Sequence, residues 1–277
     1  MTERPSLDDW IGCREAFEPD VLTRRLCREY AATFGDLLAP VPAAAPGLHW
    51  CLAPAVADTG ELGPDGHPAK GGFLPPIPLP RRMWASGSLE FLDPLRPGDT
   101  VHKTSTVKDI AWKTGRSGKL CIVTLATDYA TGRGIAIRED QHIVYREASK
   151  APTTARAPEA AELEFDVERR AEITLPLLFR YSALTFNGHR IHYDLRYAQE
   201  VEGYPDLVIH GPLQATLLLN LAASAKSTLP KHFEFRAVSP ATGPQTLRFG
   251  AVAGGKGCDL KVVSAANIVT MTASARW

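Results

Sequence analysis

The feature that most constrains the fold is an apolar helix predicted over about residues 211–227. Its leucines and alanines cover nearly the whole circumference, and they are Leu213, Leu217, Leu218, Leu219, Leu221, Ala222, Ala223 and Ala225. A helix without a polar face has to be enclosed by other elements. Four segments that alternate apolar and polar residues, as half-buried strands do, follow it at about 232–239, 245–253, 258–264 and 267–276. The sequence therefore predicts a helix wrapped by an antiparallel sheet.

The first half of the chain repeats this plan. Apolar residues at helical spacing start at Val21, with Asp20 as the expected N-cap and Pro40 as the stop, so a helix is predicted over about 21–38. Four alternating segments bounded by Pro and Gly turns follow at about 83–92, 100–110, 119–129 and 134–146, and they are predicted to form an antiparallel meander. The predicted fold class is α+β, with two copies of a helix laid across an antiparallel sheet.

Composition divides the chain into two units. Residues 148–162 lose all apolar periodicity, which is typical of a linker, so we expect one unit at 1–147 and another at 163–277. The first unit contains an irregular segment rich in Pro and Gly, about 39–82, whose apolar residues favour an ordered, functional loop. In the second unit, a strand predicted at about 173–181 leads into a polar loop.

Composition also argues against several partners. Lys and Arg together number 31, as do Asp and Glu, so no net positive field draws the chain to nucleic acid or to an anionic membrane. The longest apolar run is far shorter than a membrane span. Five scattered cysteines without a CxxC pair, behind a polar N-terminus, indicate a reduced, cytoplasmic protein without a zinc site.

Polar, titratable side chains crowd the loop that precedes the most apolar helix. They are Asn187, His189, His192 and Asp194, followed by His210 at the helix start. Groups of this kind aimed at a core suggest acid–base chemistry on a bound ligand.

The start of the apolar helix offers a second chemical feature. Pro212 suits the first helical turn, so the backbone N–H groups of Gly211 and Leu213 point out of the helix without an earlier carbonyl partner. Such donors bind a carbonyl oxygen on which negative charge develops. The alternative is that Gly211 only provides a tight entry to the helix.

Four segments carry a family resemblance, and they are 61–68, 71–76, 80–84 and 186–194. The last is the most specific, and the likeness covers almost the whole chain. In these segments, and in its duplicated helix and sheet, the chain resembles the double hot-dog acyl-thioester hydratases and dehydratases of the MaoC and R-specific enoyl-CoA hydratase group. It is most similar to the branch of the 3-hydroxyacyl-thioester dehydratases and the mesaconyl-C4-CoA and itaconyl-CoA hydratases. The resemblance implies a double hot-dog fold and reversible addition of water to an α,β-unsaturated acyl-CoA.

The resemblance also implies roles for residues of the polar loop. The wider family carries an Asp and, five positions on, a His, which together hold a water and move its proton; here these positions are Asn187 and His192. An Asn amide orients a water but accepts no proton, so His192 is expected to be the acid–base group, with the Gly211 N–H polarising the thioester. His189 and Asp194 are the candidates for a second proton-handling role. The first half has no such loop and is expected to be a non-catalytic copy that accommodates the acyl chain and pantetheine.

Substrate recognition is assigned to charged residues. Arg81 and Arg82 follow a proline-rich segment, and a guanidinium there can pair with a dicarboxylic acyl group or a CoA phosphate. The alternative is a solvated pair at a strand start. His189, Asp194 and His210 are counted with the two arginines as substrate-binding residues, and the expected acyl group is short and branched or dicarboxylic.

Neither a metal nor an organic cofactor is expected, because CoA enters only as the thioester of the substrate. The spacing of His189 and His192 lacks the Glu and the helical geometry of an HExxH metal site. The other five histidines of the chain are assigned no role, and they are His49, His67, His102, His142 and His232. Since hot-dog sheets commonly pair edge to edge, a homodimer or a higher homo-oligomer is expected.

Two other functions remain open. A hot-dog thioesterase usually carries a carboxylate on its central helix, and residues 211–227 contain none. A non-catalytic acyl-CoA-binding module is favoured by Asn187 in place of an Asp; such a module binds enoyl-CoA without hydrating it.

Overall fold

The computed structural model describes residues 7–115, 118–147, 163–255 and 257–277, so the predicted linker at 148–162 lies outside the described residues. The α-helices within these ranges are α1 (Arg24–Phe34), α2 (Leu175–Leu184), α3 (Leu195–Glu200) and α4 (Gly211–Lys226). The strands are β1 (Arg14–Ala16), β2 (Asp20–Val21), β3 (Arg81–Phe91), β4 (Thr100–Gly115), β5 (Gly118–Thr131), β6 (Gly134–Arg146), β7 (Val167–Ile173), β8 (His232–Ala237), β9 (Gln245–Gly254), β10 (Gly257–Val263) and β11 (Val269–Arg276). Short 3-10 turns occur at Leu7–Trp10, Gly35–Leu37, Leu48–Cys51, Thr59–Glu61 and Arg190–His192. No helix in the described ranges is long and apolar enough to span a membrane.

The strands form one continuous antiparallel sheet across both halves of the chain. Their order is β1-β4-β5-β6-β3-β8-β11-β10-β9-β7, and β2 pairs with β4 beside this path. Strands β3 and β8 join the halves, with Ser86 opposite Arg236 and Glu90 opposite His232. The two predicted sets of four strands are confirmed as neighbouring parts of a single sheet. The predicted meander order is wrong, because β3 and β8 pair with each other at the centre, and the first strand of each set pairs with the fourth, β3 with β6 and β8 with β11, instead of with the second.

Helix α4 is enclosed, as its composition requires. It packs against β3 and against β8 to β11, and its residues from Leu213 to Ala223 are all buried. Its two amide side chains have partners. The Gln214 amide oxygen accepts a hydrogen bond from Thr270 Oγ1 at 2.6 Å, and Asn220 Oδ1 accepts one from the Ala39 N–H at 2.9 Å. The predicted α+β class and the sheet-wrapped helix are confirmed.

Helix α1 (Arg24–Phe34) is shorter than the helix predicted over about 21–38. Thr23 caps it in place of Asp20, because Thr23 Oγ1 accepts the N–H of Leu26 at 3.1 Å. The Asp20 carboxylate instead accepts the N–H of Ala53 at 3.0 Å. The helix ends at Gly35, which has a φ of 58°, and it packs against α2 of the second half.

The irregular segment of the first half is ordered and fills space beside its strands. Leu48 and Leu52 belong to the same buried cluster as Tyr129 of β5 and Ile137 of β6. The expectation of an ordered segment is confirmed, since it packs in the core alongside side chains of the sheet.

The strand predicted at about 173–181 is wrong. Strand β7 ends at Ile173, and α2 begins two residues later. Thr174 caps the helix by accepting the Leu177 N–H at 3.3 Å, and a proline occupies the first turn. The apolar run here is compatible with either element in the sequence, and only the cap and the proline favour the helix.

Candidate active site

The polar loop is shaped by hydrogen bonds of its own backbone. After α2, Phe186 adopts a left-handed φ of 51°, and the Asn187 N–H donates to the Ser182 carbonyl at 2.8 Å. The Asn187 side-chain oxygen then accepts the N–H of His189 at 3.0 Å. These contacts turn the chain so that the next residues, including His192, point into the protein.

His192 is buried with one ring nitrogen fixed and the other available. Its Nδ1 lies 2.6 Å from the carbonyl oxygen of Val208. Because a carbonyl only accepts hydrogen bonds, the ring hydrogen is assigned to Nδ1 and the lone pair to Nε2. Burial lowers the pKa of His192 from 6.5 to about 4, opposed by the hydrogen bond to Val208. The imidazole is therefore neutral near pH 7 and has the form of a general base.

His210 supports the His192 ring from one side. The two rings stack with centroids 3.6 Å apart and planes 19° apart. His210 is fully buried, and its Nε2 is 2.8 Å from Ser182 Oγ. Burial, together with the nearby His192 and His189, lowers the pKa of His210 well below its usual range. Both stacked rings are thus neutral, so no charge repulsion separates them.

His189 faces His192 on another side, with ring centroids 5.4 Å apart and planes 87° apart. Burial and the neighbouring His192 lower the pKa of His189 to about 3, whereas Asp65 acts in the opposite direction. The ring of His67 lies against His189 with centroids 4.2 Å apart. A loop of the first half therefore reaches the site.

That loop crosses the polar loop at two glycines. A Cβ on Gly66 would lie 2.1 Å from the Gly188 carbonyl oxygen, and a Cβ on Gly188 would lie 2.7 Å from the Gly66 oxygen. The Arg190 N–H donates to the Asp65 carbonyl at 2.9 Å, and the Arg190 guanidinium donates to the Pro64 carbonyl at 3.0 Å. The first half thus makes a close backbone contact with the loop that carries His192.

Trp84 determines what fits at the start of α4. A Cβ on Gly211 would lie 2.8 Å from Trp84 Cε3. Trp84 is itself held by Phe235, with stacked rings 4.2 Å apart, and it stands beside a register shift in the pairing of β3 with β6. The glycine therefore permits a close approach of the helix start to β3, and its role as a tight entry is compatible with a role in binding a thioester oxygen.

The charged residues assigned to substrate binding all have protein partners. The Arg81 guanidinium lies 3.3 Å from Glu202, and that of Arg82 lies 3.2 Å from Asp65. Asp194 caps α3 by accepting the Tyr197 N–H at 3.0 Å. That bond, followed by the Arg190 guanidinium, lowers the Asp194 pKa.

Sequence reasoning missed the contribution of Asp65 and His67. His67 was assigned no role, and Asp65 was only one letter of the segment 61–68, which carried part of the family resemblance. That segment was the available signal. Its meeting with His189, more than a hundred positions away, depends on tertiary contacts that no local pattern reveals.

The enclosed helix, the duplicated half-sheets and a neutral histidine beside a helix start define a hot-dog protein with a site suited to acyl thioesters. The chain belongs to the hydroxyacyl-thioester dehydratase type 2 family, whose model matches residues 47–243.

Individual relatives agree with this membership. The mesaconyl-C(4)-CoA hydratase of Chloroflexus aurantiacus is 42% identical in an alignment of 240 residues that covers 83% of this chain and 83% of that one. Among solved structures, HtdX of Mycobacterium tuberculosis has a TM-score of 0.70 at 18% identity, covering 94% of this chain and 98% of that one. A conserved hypothetical protein of the same organism, described as having a double hot-dog fold, has a TM-score of 0.60 at 15% identity and covers 98% of both chains. The double hot-dog fold is confirmed.

Proposed function

We propose that this chain acts on a short, dicarboxylic or branched enoyl-CoA such as mesaconyl-C4-CoA, and that it needs no cofactor. The hydro-lyase activity itself follows from the family: the chain reversibly adds water to an α,β-unsaturated acyl-CoA. The choice of acyl group is supported by the 42% identity to a mesaconyl-C(4)-CoA hydratase.

The observation that carries the mechanism is the arrangement of His192 beside the start of α4. With Nδ1 bonded to Val208, the Nε2 lone pair accepts a proton from water while the water oxygen bonds to the β-carbon of the substrate. The π electrons shift toward the thioester oxygen, where the Gly211 N–H donates a hydrogen bond. His192 then returns the proton to the α-carbon, so one water is added and the enzyme is restored. In this proposal Asn187 orients the loop and His210 supports the His192 ring.

The charged groups of the first half are proposed to recognise the rest of the substrate. Arg81 and Arg82 are consecutive at the start of β3, and their side chains, which pair with Glu202 and Asp65, are only 10% and 8% exposed. A carboxylate of the acyl group, or a phosphate of CoA, would share these guanidinium groups with Glu202 or Asp65.

The activity is tested by following enoyl-thioester absorbance with mesaconyl-C4-, itaconyl- and crotonyl-CoA. We expect the dicarboxylic substrates to turn over with the higher kcat/KM, and the variant His192→Ala to lose at least about 100-fold. The matched control is His102→Ala, because His102 is exposed on β4 and its loss should leave turnover unchanged. Unchanged turnover in His192→Ala would contradict the mechanism.

The same assay separates the alternatives. Release of free thiol would indicate a thioesterase, a reading that the absence of Asp and Glu from α4 opposes. Tight binding of every enoyl-CoA without hydration would indicate a non-catalytic binding module.

Cellular location and assembly are also proposals. All five cysteines are free, which supports a reducing compartment such as the cytoplasm. The edges of the sheet, β7 and β1, offer strands for pairing with a second copy. A homodimer or a higher homo-oligomer should be visible as a multiple of 30.1 kDa by light scattering.

A further inference from the structure

The reaction proposed above needs a second contact to hold the attacking water, and Asn187 is poorly placed to provide it. Its side-chain oxygen already accepts the His189 N–H at 3.0 Å, and its backbone N–H is bonded to Ser182. A water held only by His192 would be free to rotate away from the β-carbon, and loss of orientation is costly in catalysis. Another residue beside His192 is therefore required.

Two histidine rings adjoin His192, and they differ in what they can offer. His210 stacks flat on His192 and is fully buried, with Nε2 bonded to Ser182. His189 stands edge-on to His192, and no hydrogen bond joins its ring nitrogens to the described residues. His210 Nδ1 also lacks a partner, but it is a fully enclosed atom, whereas the His189 nitrogens are not among the fully enclosed atoms. His189 is consequently the neighbour whose ring can bind a water that His192 also binds.

A carboxylate from the first half lies beside His189. One ring nitrogen of His189 and one oxygen of Asp65 are within 4.8 Å of each other, a separation that one water molecule bridges. Asp65 cannot swing freely, because its carboxylate accepts the His67 backbone N–H at 3.1 Å and the Arg82 Nε–H at 3.2 Å, and lies 3.2 Å from His67 Nδ1. The glycine crossing of Gly66 and Gly188 fixes the backbone that carries it.

We infer that His189 is the second catalytic residue on the water and that Asp65 is its positioning residue, supplied by the half of the chain that lacks the polar loop. Asp65 attracts the ring N–H of His189, which leaves the other nitrogen of His189 with its lone pair toward the water. This inference rests on the proposed function and adds a residue from the first half to its site.

The step keeps its atoms and electrons balanced. One hydrogen of the water leaves as a proton to Nε2 of His192 while the oxygen bonds to the β-carbon. The second hydrogen stays on that oxygen and is accepted in a hydrogen bond by His189, so it becomes the hydroxyl hydrogen of the product. The proton on His192 passes to the α-carbon, and neither His189 nor Asp65 changes its protonation state.

Asp65 and His189, together with His67, also have the composition of a metal site. Asp65, His67 and His189 present ligand atoms within 4.8 Å of one another. The Arg82 guanidinium, however, lies 3.2 Å from the Asp65 oxygen and places a fixed positive charge there, and His67 Nδ1 contacts that same oxygen. These contacts favour an orienting carboxylate over a cation ligand.

The test measures kcat and KM for hydration of mesaconyl-C4-CoA in four variants. We expect His189→Ala to lose about 100-fold in kcat with KM nearly unchanged, since the lost contact acts on the water rather than on CoA. His189→Gln should recover part of this loss, because an amide oxygen accepts the same hydrogen bond. Asp65→Asn should lose about tenfold in kcat, and prior treatment with a chelator should leave the wild-type rate unchanged.

Tyr193→Phe is the matched control on the same loop. The exposed Tyr193 hydroxyl donates to the Gly188 carbonyl at 3.0 Å, so its removal perturbs the loop backbone without touching the water, and kcat should stay within about twofold. A wild type that hydrates while His189→Ala keeps its full kcat would overturn the inference and leave the proposed function intact. A wild type that loses activity on chelation and regains it with Zn²⁺ would overturn it in favour of a metal site, whereas a wild type that hydrates none of the substrates would refute the proposed function itself.

Discussion

His192 shows how a single hydrogen bond can define a base. The Val208 carbonyl fixes the tautomer, and the enclosing residues remove the water that would stabilise the charged form. The result is a histidine that stays neutral over a wider pH range than a free imidazole. This property can be measured without any structural probe.

The pH dependence of kcat/KM should reflect the lowered pKa of His192. A base is active in its neutral form, so activity is lost as pH falls through the pKa, which here is about 4. We expect kcat/KM to be constant between pH 8 and pH 6, where an unshifted histidine would lose about fourfold. Circular dichroism at each pH provides the control for folding, and a fourfold loss at pH 6 in a folded protein would contradict the prediction.

Residues differed in how readily the sequence revealed them. His192 and Gly211 were predicted because each lies in a local pattern, one in the polar loop and the other before an apolar helix. Asp65 and His67 were not, because their position beside His189 depends on a contact between distant loops. Asn187 was singled out as a departure from the family's Asp, and the structure adds that its oxygen accepts a hydrogen bond from the loop backbone.

Elements were predicted best where composition left a single solution. Helix α4 was predicted at 211–227 and occupies Gly211–Lys226, because a helix apolar on all sides has no other environment than a core. The strands of both halves were predicted within a few residues of their bounds, apart from the longer β4, but their order in the sheet was not. Helix α2 was missed because a short apolar run has no distinctive period, and α1 was predicted too long because its true cap, Thr23, competes with Asp20 in the sequence.

The junction of α4 with β3 permits a test at the level of elements. Gly211→Ala places a Cβ 2.8 Å from Trp84 Cε3, so the helix start or the indole must shift. We expect a loss of about 1–3 kcal/mol in the free energy of unfolding, together with a lower kcat because the Gly211 N–H moves. Urea unfolding and the hydration assay give the two quantities.

A second substitution makes this prediction specific. Trp84→Phe removes the ring atoms that oppose the Cβ, so the double variant should be more stable than the sum of the two single changes predicts. Gly60→Ala is the control, since no atom lies within 4 Å of the position that its Cβ would occupy. Additive effects of Gly211→Ala and Trp84→Phe would show that the contact is not the cause.

At the scale of the whole molecule, several buried histidines link folding to pH. Burial lowers the pKa of His49 and His189 to about 3 and that of His192 to about 4, and it also lowers the pKa of His210 well below its usual range. Between pH 6.5 and these values the unfolded chain binds protons that the folded chain does not. Stability is therefore full above pH 6.5 and is lost as pH falls.

We expect the free energy of unfolding to decrease steeply between pH 6.5 and pH 5, by up to about 1.4 kcal/mol per pH unit for each such histidine. Glu139 opposes this trend, because burial raises its pKa, but it is a single group. Urea unfolding at a series of pH values measures the slope of the unfolding free energy against pH. His49→Phe should reduce this slope by the contribution of one histidine, up to about 1.4 kcal/mol per pH unit. A stability that is constant from pH 7 to pH 5 would contradict the prediction.

The crossing of Gly66 and Gly188 has a consequence for how such a chain can change over time. Because each backbone occupies the space that a side chain of the other would need, neither Gly66 nor Gly188 can be replaced by a larger residue while the opposite loop stays in place. Exchanging one half of the chain for the corresponding half of a distant relative should therefore fail unless both loops are transferred together. At these two positions, a substitution in one half is expected to require a compensating change in the other.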